Sequence, residues 1–318
     1  MTHALALWCV DMGTAEIRPG SLGDGVLVEA LFSGISRGTE RLVFEGRVPA
    51  SEYERMRGPA MEGAFPFPVK YGYNVVGRIA EGPNKGQLVF ALHPHQTCFR
   101  SSEFALVPLP QNVPPDRAVL GANMETALNL LWDSGAAAGD RIAVIGAGVV
   151  GALVAYLASR LPGAEVTLVD LNPERSSLAE GLGCQFSLPE HAPKDCDVVF
   201  HLSASPAGLA TAIDCAGMEA TVVEGSWYGD AKTSVPLGGA FHSRRLRICS
   251  SQVGHIPPTR APRWSYGRRM AKALELLADP VLDTLISGET SFTELPDHYG
   301  GILSDPATLC HRIRYDLP

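Results

Sequence analysis

The stretch RIAVIGAGVVGALVAYLASRLPGAEVTLVD, residues 141–170, decides the fold of this chain. Its apolar run at 142–145 predicts a buried parallel strand, and its apolar segment at 149–161 predicts a helix. A second strand is predicted at 165–170. A strand, a helix and another strand in this order form the unit from which parallel α/β sheets are built.

The turn before the helix carries Gly146, Gly148 and Gly151 at G-x-G-x-x-G spacing. The first glycine of such a loop permits the tight turn, the second lets backbone approach a pyrophosphate, and the third lets helix and strand pack closely. Asp170 ends the second strand near the spacing of about 20 residues typical of the acid that binds the adenosine ribose of NAD. Arg175 follows closely and blurs the preference for NAD over NADP. The motif predicts dinucleotide binding, and a turn that binds no nucleotide is the alternative.

The composition is that of a globular protein, with 318 residues, 46% hydrophobic and 19% charged. This length suits two domains of about 100–200 residues each. A net charge of −8 argues against nucleic-acid and anionic-membrane partners. The longest apolar runs fall short of the roughly 18 residues of a membrane span, and the N-terminus lacks the basic region of a signal peptide. Seven scattered cysteines without a C-x-x-C pair predict free thiols in a reducing cytoplasm.

Residues 1–115 are predicted to form a β-rich domain. Strand-like runs, separated by turns that carry glycine and proline, lie at 4–10, 25–33, 69–80 and 87–92. The segment 50–68 is predicted to be a surface loop with one short helical turn, and a flap over a pocket is the alternative.

Residues 116–254 are predicted to form a dinucleotide-binding domain, and 255–318 to return to the first domain. Beyond Asp170, apolar strands are predicted at 197–203, 220–227 and 246–253, alternating with helical segments. This alternation predicts a doubly wound parallel sheet of the Rossmann type, with ligands at the carboxyl ends of its strands. The fold class is therefore α/β, with a second, β-rich domain. An amphipathic helix at 267–278 and a closing strand in CHRIRYDLP complete the predicted elements.

Three motifs resemble the medium-chain dehydrogenase/reductase superfamily, the relatives of alcohol dehydrogenase. PVKYGYNVVGRI, residues 68–79, stands in the place of that family's P-x-x-x-G-H-E-x-x-G, and METALNLLWDSGAAAGDRIAVIGAG, residues 124–148, leads into the glycine loop. SGISRGTERLVFEGRVP, residues 33–49, is similar to the bacteriochlorophyllide a dehydrogenase subgroup. The resemblance implies a GroES-like catalytic domain before the Rossmann domain, and a homodimer that forms through the edges of the nucleotide-binding sheets.

The chain departs from the zinc enzymes of that family at their metal ligands. Ser36 stands near the position of the first Cys, Tyr73 and Asn74 replace the His and Glu of the second motif, and the third ligand falls near Asn123 or Met124. Ser, Tyr and Asn are poor zinc ligands beside Cys, His and carboxylate. We therefore expect no zinc there.

The Cys-rich structural zinc lobe of the family is also missing, since the segment HPHQTCFRSSEF holds one cysteine. An alternative metal cluster would consist of His93, His95 and Cys98, but a site of this kind also needs a fourth ligand and oriented outer partners.

Without a metal, a protein group has to handle the proton on the substrate oxygen. By resemblance, His93 lines the substrate pocket and is the first candidate, because imidazole titrates in the useful range. His95 is two residues further along an extended segment, Tyr73 carries a hydroxyl at a former ligand position, and Thr39 resembles the family's hydroxyl relay residue. Alternatively, the two histidines are partly buried polar residues and Tyr73 belongs to the core.

The remaining cofactor contacts follow from the glycine loop and the resemblance. The helix N-terminus at Val149 and Val150 presents N–H groups to the phosphates. The resemblance places Arg37 at the pyrophosphate, Thr126 at the nicotinamide end, and groups that follow later strands near the two ends of the cofactor: Ser203, Ala204, Gly225, Trp227 and Ser251.

These features favour a zinc-independent, NAD-linked oxidoreductase that transfers hydride between nicotinamide and a secondary alcohol or ketone. Arginines are frequent in an otherwise acidic chain, and a solvated surface with ion pairs is the favoured interpretation. The alternative is that Arg260 and Arg263 bind the carboxylate of a bulky substrate. One alternative is an NADPH-dependent reductase of quinones or enones. A second is a protein that binds NAD without turnover.

Overall fold

The computed structural model describes residues 4–316. The chain forms two compact units, the first comprising residues up to Ala122 and from Gly267 onward, and the second comprising Asn123–Tyr266. The sequence-based boundaries at 115/116 and 254/255 lie earlier in the chain. The predicted fold class, a doubly wound parallel sheet plus a β-rich domain, is confirmed.

Strands occur throughout the described residues. In chain order they are β1 Leu5–Asp11, β2 Thr14–Pro19, β3 Val26–Ser36, β4 Glu62–Gly63, β5 Val69–Lys70, β6 Val75–Ile79, β7 Leu88–Ala91, β8 Cys98–Ser101, β9 Val107–Pro108, β10 Arg141–Ile145, β11 Glu165–Val169, β12 Gln185–Ser187, β13 Cys196–His201, β14 Ala216–Glu224, β15 Arg247–Ser250, β16 Ile286–Ser291 and β17 Cys310–Arg314.

The α-helices alternate with strands mainly in the second unit. In chain order they are α1 Arg37–Phe44, α2 Gly121–Ser134, α3 Val149–Ala158, α4 Arg175–Leu182, α5 Pro206–Cys215, α6 Tyr266–Glu275 and α7 Leu295–Ser304. No helix among residues 4–316 is long and apolar enough to cross a membrane.

The second unit is built on a parallel sheet that, among the described residues, has six strands in the order β12-β11-β10-β13-β14-β15. Numbered along the chain within this unit, the order is 3-2-1-4-5-6, which is that of a dinucleotide-binding sheet. The order reverses between β10 and β13. A ligand of such a sheet binds at this point, outside the carboxyl ends of the strands.

The core of this unit follows from its apolar strands. Ile145, Val199 and Val222 project from neighbouring strands, and α5 covers them with Leu209 and Ile213. All five side chains are at most 4% exposed. A central strand that is covered on both faces needs such a continuous apolar run, which is why the sequence pattern around 142–145 was informative.

The first unit holds two mainly antiparallel sheets. One runs β2-β1-β5-β4, and the other runs β16-β17-β3-β6-β7-β9, with β8 also paired to β3. Only the pair β16-β17 is parallel there among the described strands. The structure contains the predicted strands near the N-terminus and the predicted helix near 267–278. The closing strand is present as β17 within the described residues.

The strand predicted at 69–80 is wrong in its middle, because the chain breaks there into β5 and β6, which belong to different sheets. The break is at Gly72, whose φ is +152°, and an added Cβ there would lie 2.4 Å from the backbone nitrogen of His95. Only glycine fits this close approach, and a continuous strand cannot pass through it.

Candidate functional site

At two positions of the glycine loop after β10, the surrounding backbone leaves no room for a side chain. Gly146 has φ +109°, and an added Cβ would lie 2.8 Å from the nitrogen of Ser203. An added Cβ on Gly151 would lie 1.9 Å from the carbonyl oxygen of Gly146. The first glycine therefore permits the turn and the third lets α3 pack against the loop, as its spacing predicts.

Gly148 differs from both. It is the N-cap residue of α3, with φ −72° and ψ 177°, a conformation open to any residue. An added Cβ would meet no protein atom within 4 Å. Neither the backbone nor the neighbouring side chains require glycine here. The space beside Gly148, at the helix N-terminus formed by Val149 and Val150, fits a phosphate that approaches the backbone closely.

Asp170 follows β11 and anchors this loop. One carboxylate oxygen accepts the N–H of Ala147 at 2.7 Å, and the other accepts the N–H of Asn172 at 2.9 Å. Each oxygen keeps a lone pair for a further donor, such as a ribose hydroxyl. Arg175 begins α4 one turn later and is half-buried. The residues present therefore fit a dinucleotide, with an acidic side chain beside the glycine loop.

The other cofactor candidates of this unit lie at strand ends or on α2. Thr126 is half-buried within a run of buried residues on α2, and Trp227 is half-buried after β14. The hydroxyl of Ser251 donates to Asp133 at 2.6 Å. An added Cβ on Gly225 would lie 2.6 Å from Leu130 and 2.7 Å from Leu202, so the ends of these two side chains would have to shift to admit it.

Ser203 and Ala204 follow β13 and lie directly across the switch point from the glycine loop. Ala204 has φ +51°, which is uncommon for a residue with a side chain. Its N–H donates to the hydroxyl of Ser226 at 3.1 Å. The structure thus brings Ser203 to the loop of Gly146, as the strand order requires.

In the first unit, the motif that contains Ser36 forms the end of β3 and the start of α1. Arg37 and Thr39 are half-buried on α1, whereas Ser36 and Glu40 are buried. The carboxyl of Glu40 accepts the N–H of Ser36 at 2.7 Å and so closes the first turn of this helix.

His93 lies between β7 and β8 and is 5% exposed. Its ring stacks on Phe99 with centroids 3.9 Å apart, and its Nδ1 is 2.9 Å from the carbonyl oxygen of Pro94. Because a carbonyl only accepts, Nδ1 carries the proton and Nε2 is left as an acceptor. Burial lowers the pKa of His93 to about 3, since the charged form loses its hydration. His93 is therefore neutral at physiological pH.

His95 has quite different neighbours and is fully buried. Its Nε2 lies 2.9 Å from Glu40, and its Nδ1 lies 2.9 Å from the hydroxyl of Ser33. Tyr299 donates to the same carboxyl oxygen of Glu40 at 2.7 Å, and the hydroxyl of Tyr315 lies 3.0 Å from that of Ser33. His95 is thus enclosed in a hydrogen-bonded network that engages both of its ring nitrogens, and it is more deeply buried than the sequence-based alternative supposed.

Tyr73 and Asn74 occupy the turn between β5 and β6. Tyr73 is half-buried. Asn74 is fully buried, and neither its side-chain nitrogen nor its oxygen has a hydrogen-bond partner. An added Cβ on Gly34 would lie 3.3 Å from that nitrogen. A buried amide without partners is costly and is rare in proteins.

The donor set for zinc is missing from the part of the chain that the structure describes. Within residues 4–316, no three His, Cys, Asp or Glu side chains come together as a ligand group. This covers the family positions at Ser36 and Asn74 and also the alternative cluster of His93, His95 and Cys98. Ser36, Tyr73 and Asn74 offer hydroxyl, phenol and amide groups, which hold zinc less well than thiolate, imidazole and carboxylate.

Two ionisable residues in the second unit were not identified from the sequence. His201 ends β13 and Glu224 ends β14, and Nδ1 of His201 lies 2.7 Å from a carboxylate oxygen of Glu224. The available signal was a polar residue closing each of two apolar strands, the same signal that identified Asp170.

Comparison with known proteins supports the fold. No protein-family model matches the chain. Over 121 residues it is 24% identical to (R,R)-butanediol dehydrogenase of Saccharomyces cerevisiae, a match that covers 38% of this chain and 32% of the yeast protein. The match thus spans about a third of the length of that relative.

Solved structures of dehydrogenases match almost the entire chain. L-idonate 5-dehydrogenase of Escherichia coli has a TM-score of 0.79 at 15% identity, covering 98% of both chains. An alcohol dehydrogenase of Escherichia coli in complex with NADH has a TM-score of 0.78 at 15% identity, covering 99% of this chain and 100% of the other. The chain therefore shares the fold of these two dehydrogenases.

Proposed function

We propose that this chain is a zinc-independent, NAD-linked oxidoreductase that acts on a secondary alcohol or ketone. The observation that carries the proposal is the loop of Gly148 and Asp170. Gly148 leaves space for a phosphate, and neither its backbone conformation nor packing against its neighbours requires glycine there. At Asp170 a carboxylate beside that space retains lone pairs for a ribose hydroxyl.

Asp170 also supports NAD rather than NADP. A carboxylate repels the additional phosphate that NADP carries on its adenosine ribose. Arg175, at the start of α4, is the nearby cation that would reduce this repulsion. We expect NADH to bind more tightly than NADPH, with Asp170 as the main cause.

The proposal that no zinc takes part rests on the side chains found at the positions of the family's zinc ligands. The hydroxyl, phenol and amide groups of Ser36, Tyr73 and Asn74 replace the thiolate, imidazole and carboxylate that hold zinc well. A bound nicotinamide supplies or accepts the hydride. The proton on the substrate oxygen is then left to side chains of this chain.

His93 is the candidate group for that proton. As a neutral imidazole it presents Nε2 as an acceptor for the hydroxyl of an alcohol, while Pro94 fixes the tautomer through Nδ1. Its low pKa makes it a weak base, so it orients the hydroxyl more readily than it removes the proton. Tyr73 and Thr39 carry the other hydroxyls proposed for this task. His95 is the least suited, because Ser33 and Glu40 occupy both of its ring nitrogens.

The substrate is proposed to carry a carboxylate recognised by arginine. Arg260 lies over the ring of Trp132 at 5.4 Å, and Trp132 packs against Trp264 at 4.7 Å. Arg263 is exposed and donates to the carbonyl of Thr259 at 3.0 Å. Replacing both arginines by glutamine should raise KM for acidic substrates and leave KM for neutral ones unchanged.

The experiment that tests the function is a calorimetric titration of the purified protein with NAD⁺, NADH, NADP⁺ and NADPH, with metal analysis of the same sample. NADH binding without stoichiometric zinc, followed by turnover of a member of a panel of alcohols and ketones, supports the proposal. Asp170→Asn should then weaken the affinity for NADH by about ten-fold and reduce the ratio of NADH affinity to NADPH affinity. A hydrogen bond to a charged acceptor contributes about 1.5 kcal/mol, which corresponds to this ten-fold change.

Other outcomes select the alternatives. Preferential NADPH binding favours a reductase of quinones or enones. Tight NAD binding without turnover of any panel member favours a non-catalytic NAD-binding protein. The absence of dinucleotide binding contradicts the central proposal, and stoichiometric zinc contradicts zinc independence.

A further inference from the structure

Three side chains form a continuous hydrogen-bonded chain at the carboxyl ends of β13 and β14. The hydroxyl of Ser203 lies 2.8 Å from Nε2 of His201, and Nδ1 of His201 lies 2.7 Å from Glu224. Ser203 is exposed, His201 is fully buried, and Glu224 lies between these extremes. The chain thus leads from a buried imidazole to one hydroxyl at the surface of the second unit.

Glu224 has several donors in addition to His201. The N–H of Ser226 donates to one of its oxygens at 2.8 Å, and the hydroxyl of Tyr228 donates to the other at 3.2 Å. Burial by itself would raise the pKa of Glu224, but the hydrogen bonds from His201 and Ser226 hold it below its ordinary value. Glu224 is therefore a carboxylate, which can only accept hydrogen bonds.

The direction of the remaining bonds follows from this. The carboxylate of Glu224 requires a proton on Nδ1 of His201. In the tautomer that is protonated only at Nδ1, Nε2 is an acceptor. The hydroxyl of Ser203 then donates its single proton to Nε2. Its oxygen is left with lone pairs directed away from His201, and Ser203 presents an acceptor to whatever binds beside it.

The space around this contact is reserved by glycine. An added Cβ on Gly208, in the first turn of α5, would lie 2.1 Å from the hydroxyl oxygen of Ser203 and 2.9 Å from Nε2 of His201. Ala204 turns the chain directly after Ser203 at a φ of +51°. A left-handed backbone is strained for a residue that bears a side chain, and such strain is often found at functional sites.

Ser203 also lies at the ligand edge of the sheet. It follows β13, on the opposite side of the switch point from β10, and its backbone nitrogen abuts Gly146 of the glycine loop. The following inference therefore rests on the proposed dinucleotide function.

We propose that His201 and Glu224 are positioning residues that fix Ser203 as a hydrogen-bond acceptor for a ribose hydroxyl of the bound dinucleotide. Glu224 acts on the ligand only through His201, and His201 acts only through Ser203.

The test is a double-mutant cycle measured by calorimetric titration of NADH into the full-length protein. Ser203→Ala and Glu224→Gln should each weaken NADH about three- to ten-fold, the value of one hydrogen bond. When Ser203 is already alanine, Glu224→Gln should cause little further loss of NADH affinity, because Glu224 affects the ligand only through the hydroxyl of Ser203. Thr211→Ala removes another hydroxyl from α5, one that donates to Ala207, and should leave NADH affinity unchanged.

Two readouts separate positioning from a merely structural role. Nitrogen NMR of the His201 ring should show a proton held on Nδ1 in the wild type and a loss of that preference in Glu224→Gln. NAD analogues that each lack one ribose hydroxyl should be compared with NAD itself. One of them should bind the wild type more weakly than NAD does, whereas Ser203→Ala should bind that analogue and NAD with the same affinity.

The outcomes are distinct from those of the proposed function. If the wild type binds no dinucleotide, the proposed function fails with this inference. If the wild type binds NADH but Ser203→Ala binds it equally well, only this inference is overturned. Additive effects of the two substitutions, or a doubly protonated His201 ring at pH 8, overturn it as well.

Discussion

Gly146 and Ser203 meet across the point where the strand order of the parallel sheet reverses. Gly146 follows β10, Ser203 follows β13, and a Cβ added to the glycine would lie 2.8 Å from the backbone nitrogen of the serine. The glycine loop and Ser203 thus lie side by side at the carboxyl ends of two neighbouring strands, β10 and β13. Changes in either should affect the same ligand.

Gly148→Ala should weaken NADH binding roughly ten-fold or more without loss of stability. The added methyl group meets no protein atom, so its cost falls on the ligand, at the 1–3 kcal/mol typical of overpacking. Calorimetric titration measures the affinity, and urea unfolding measures the stability.

Two further glycines serve as controls for that substitution. Gly151→Ala places a methyl group 1.9 Å from the carbonyl oxygen of Gly146 and should destabilise the second unit by about 1–3 kcal/mol. Gly181→Ala, in open space on α4, should stabilise it by about 0.4–1 kcal/mol and leave NADH affinity unchanged. Normal NADH binding by Gly148→Ala would contradict the phosphate site.

The Glu40 network should contribute strongly to the stability of the first unit. Glu40→Gln places an amide nitrogen among the donors Ser36, His95 and Tyr299, and should cost about 3 kcal/mol in the free energy of unfolding. Tyr299→Phe keeps the edge-to-face packing on Phe44 and should cost only about 1 kcal/mol. Urea unfolding of both variants checks this order, and equal costs would contradict it.

His93 should make the stability depend on pH. Its pKa falls from 6.5 when unfolded to about 3 when folded, so the unfolded chain binds more protons between these values. The contribution of neutral His93 is complete above pH 6.5 and is lost progressively as the pH falls toward 3, at up to about 1.4 kcal/mol per pH unit.

Comparison of two histidine variants isolates this contribution. His93→Gln should flatten the slope of unfolding free energy between pH 6.5 and 4.5 by about one proton, whereas His242→Gln, at an exposed position, should leave the slope as it is. Identical slopes for all three proteins would show that His93 titrates normally. In turnover assays His93→Gln should lower kcat and leave NADH affinity alone, and an unchanged kcat would remove it from the mechanism.

The nucleotide-binding unit should pair with a second copy through β15, the strand at one edge of its sheet. Ile248 on this strand is partly exposed, and an unpaired edge is a template for pairing. Light scattering should show a dimer for the wild type and a monomer for Ile248→Lys, because the substitution brings like charges together. Phe104→Lys, at a fully exposed position of the other unit, should remain dimeric. A monomeric wild type would contradict the expected assembly.

The sequence by itself determined the parallel sheet, the glycine loop and Asp170. These features depend on short-range patterns, since apolar runs, glycine spacing and a polar residue at a strand end can be recognised within 30 residues. That Ser36, Tyr73 and Asn74 stand in place of zinc ligands is a prediction from the family resemblance of the sequence.

The tertiary structure decided which polar residues are enclosed and which face outward. His93 and His95 are two residues apart, yet one stacks on Phe99 and the other bonds to Glu40, because partners 55 residues apart in the chain meet only after folding. The Ser203–His201–Glu224 chain likewise joins the ends of two neighbouring strands. Only folding brings these three side chains within hydrogen-bond distance of one another.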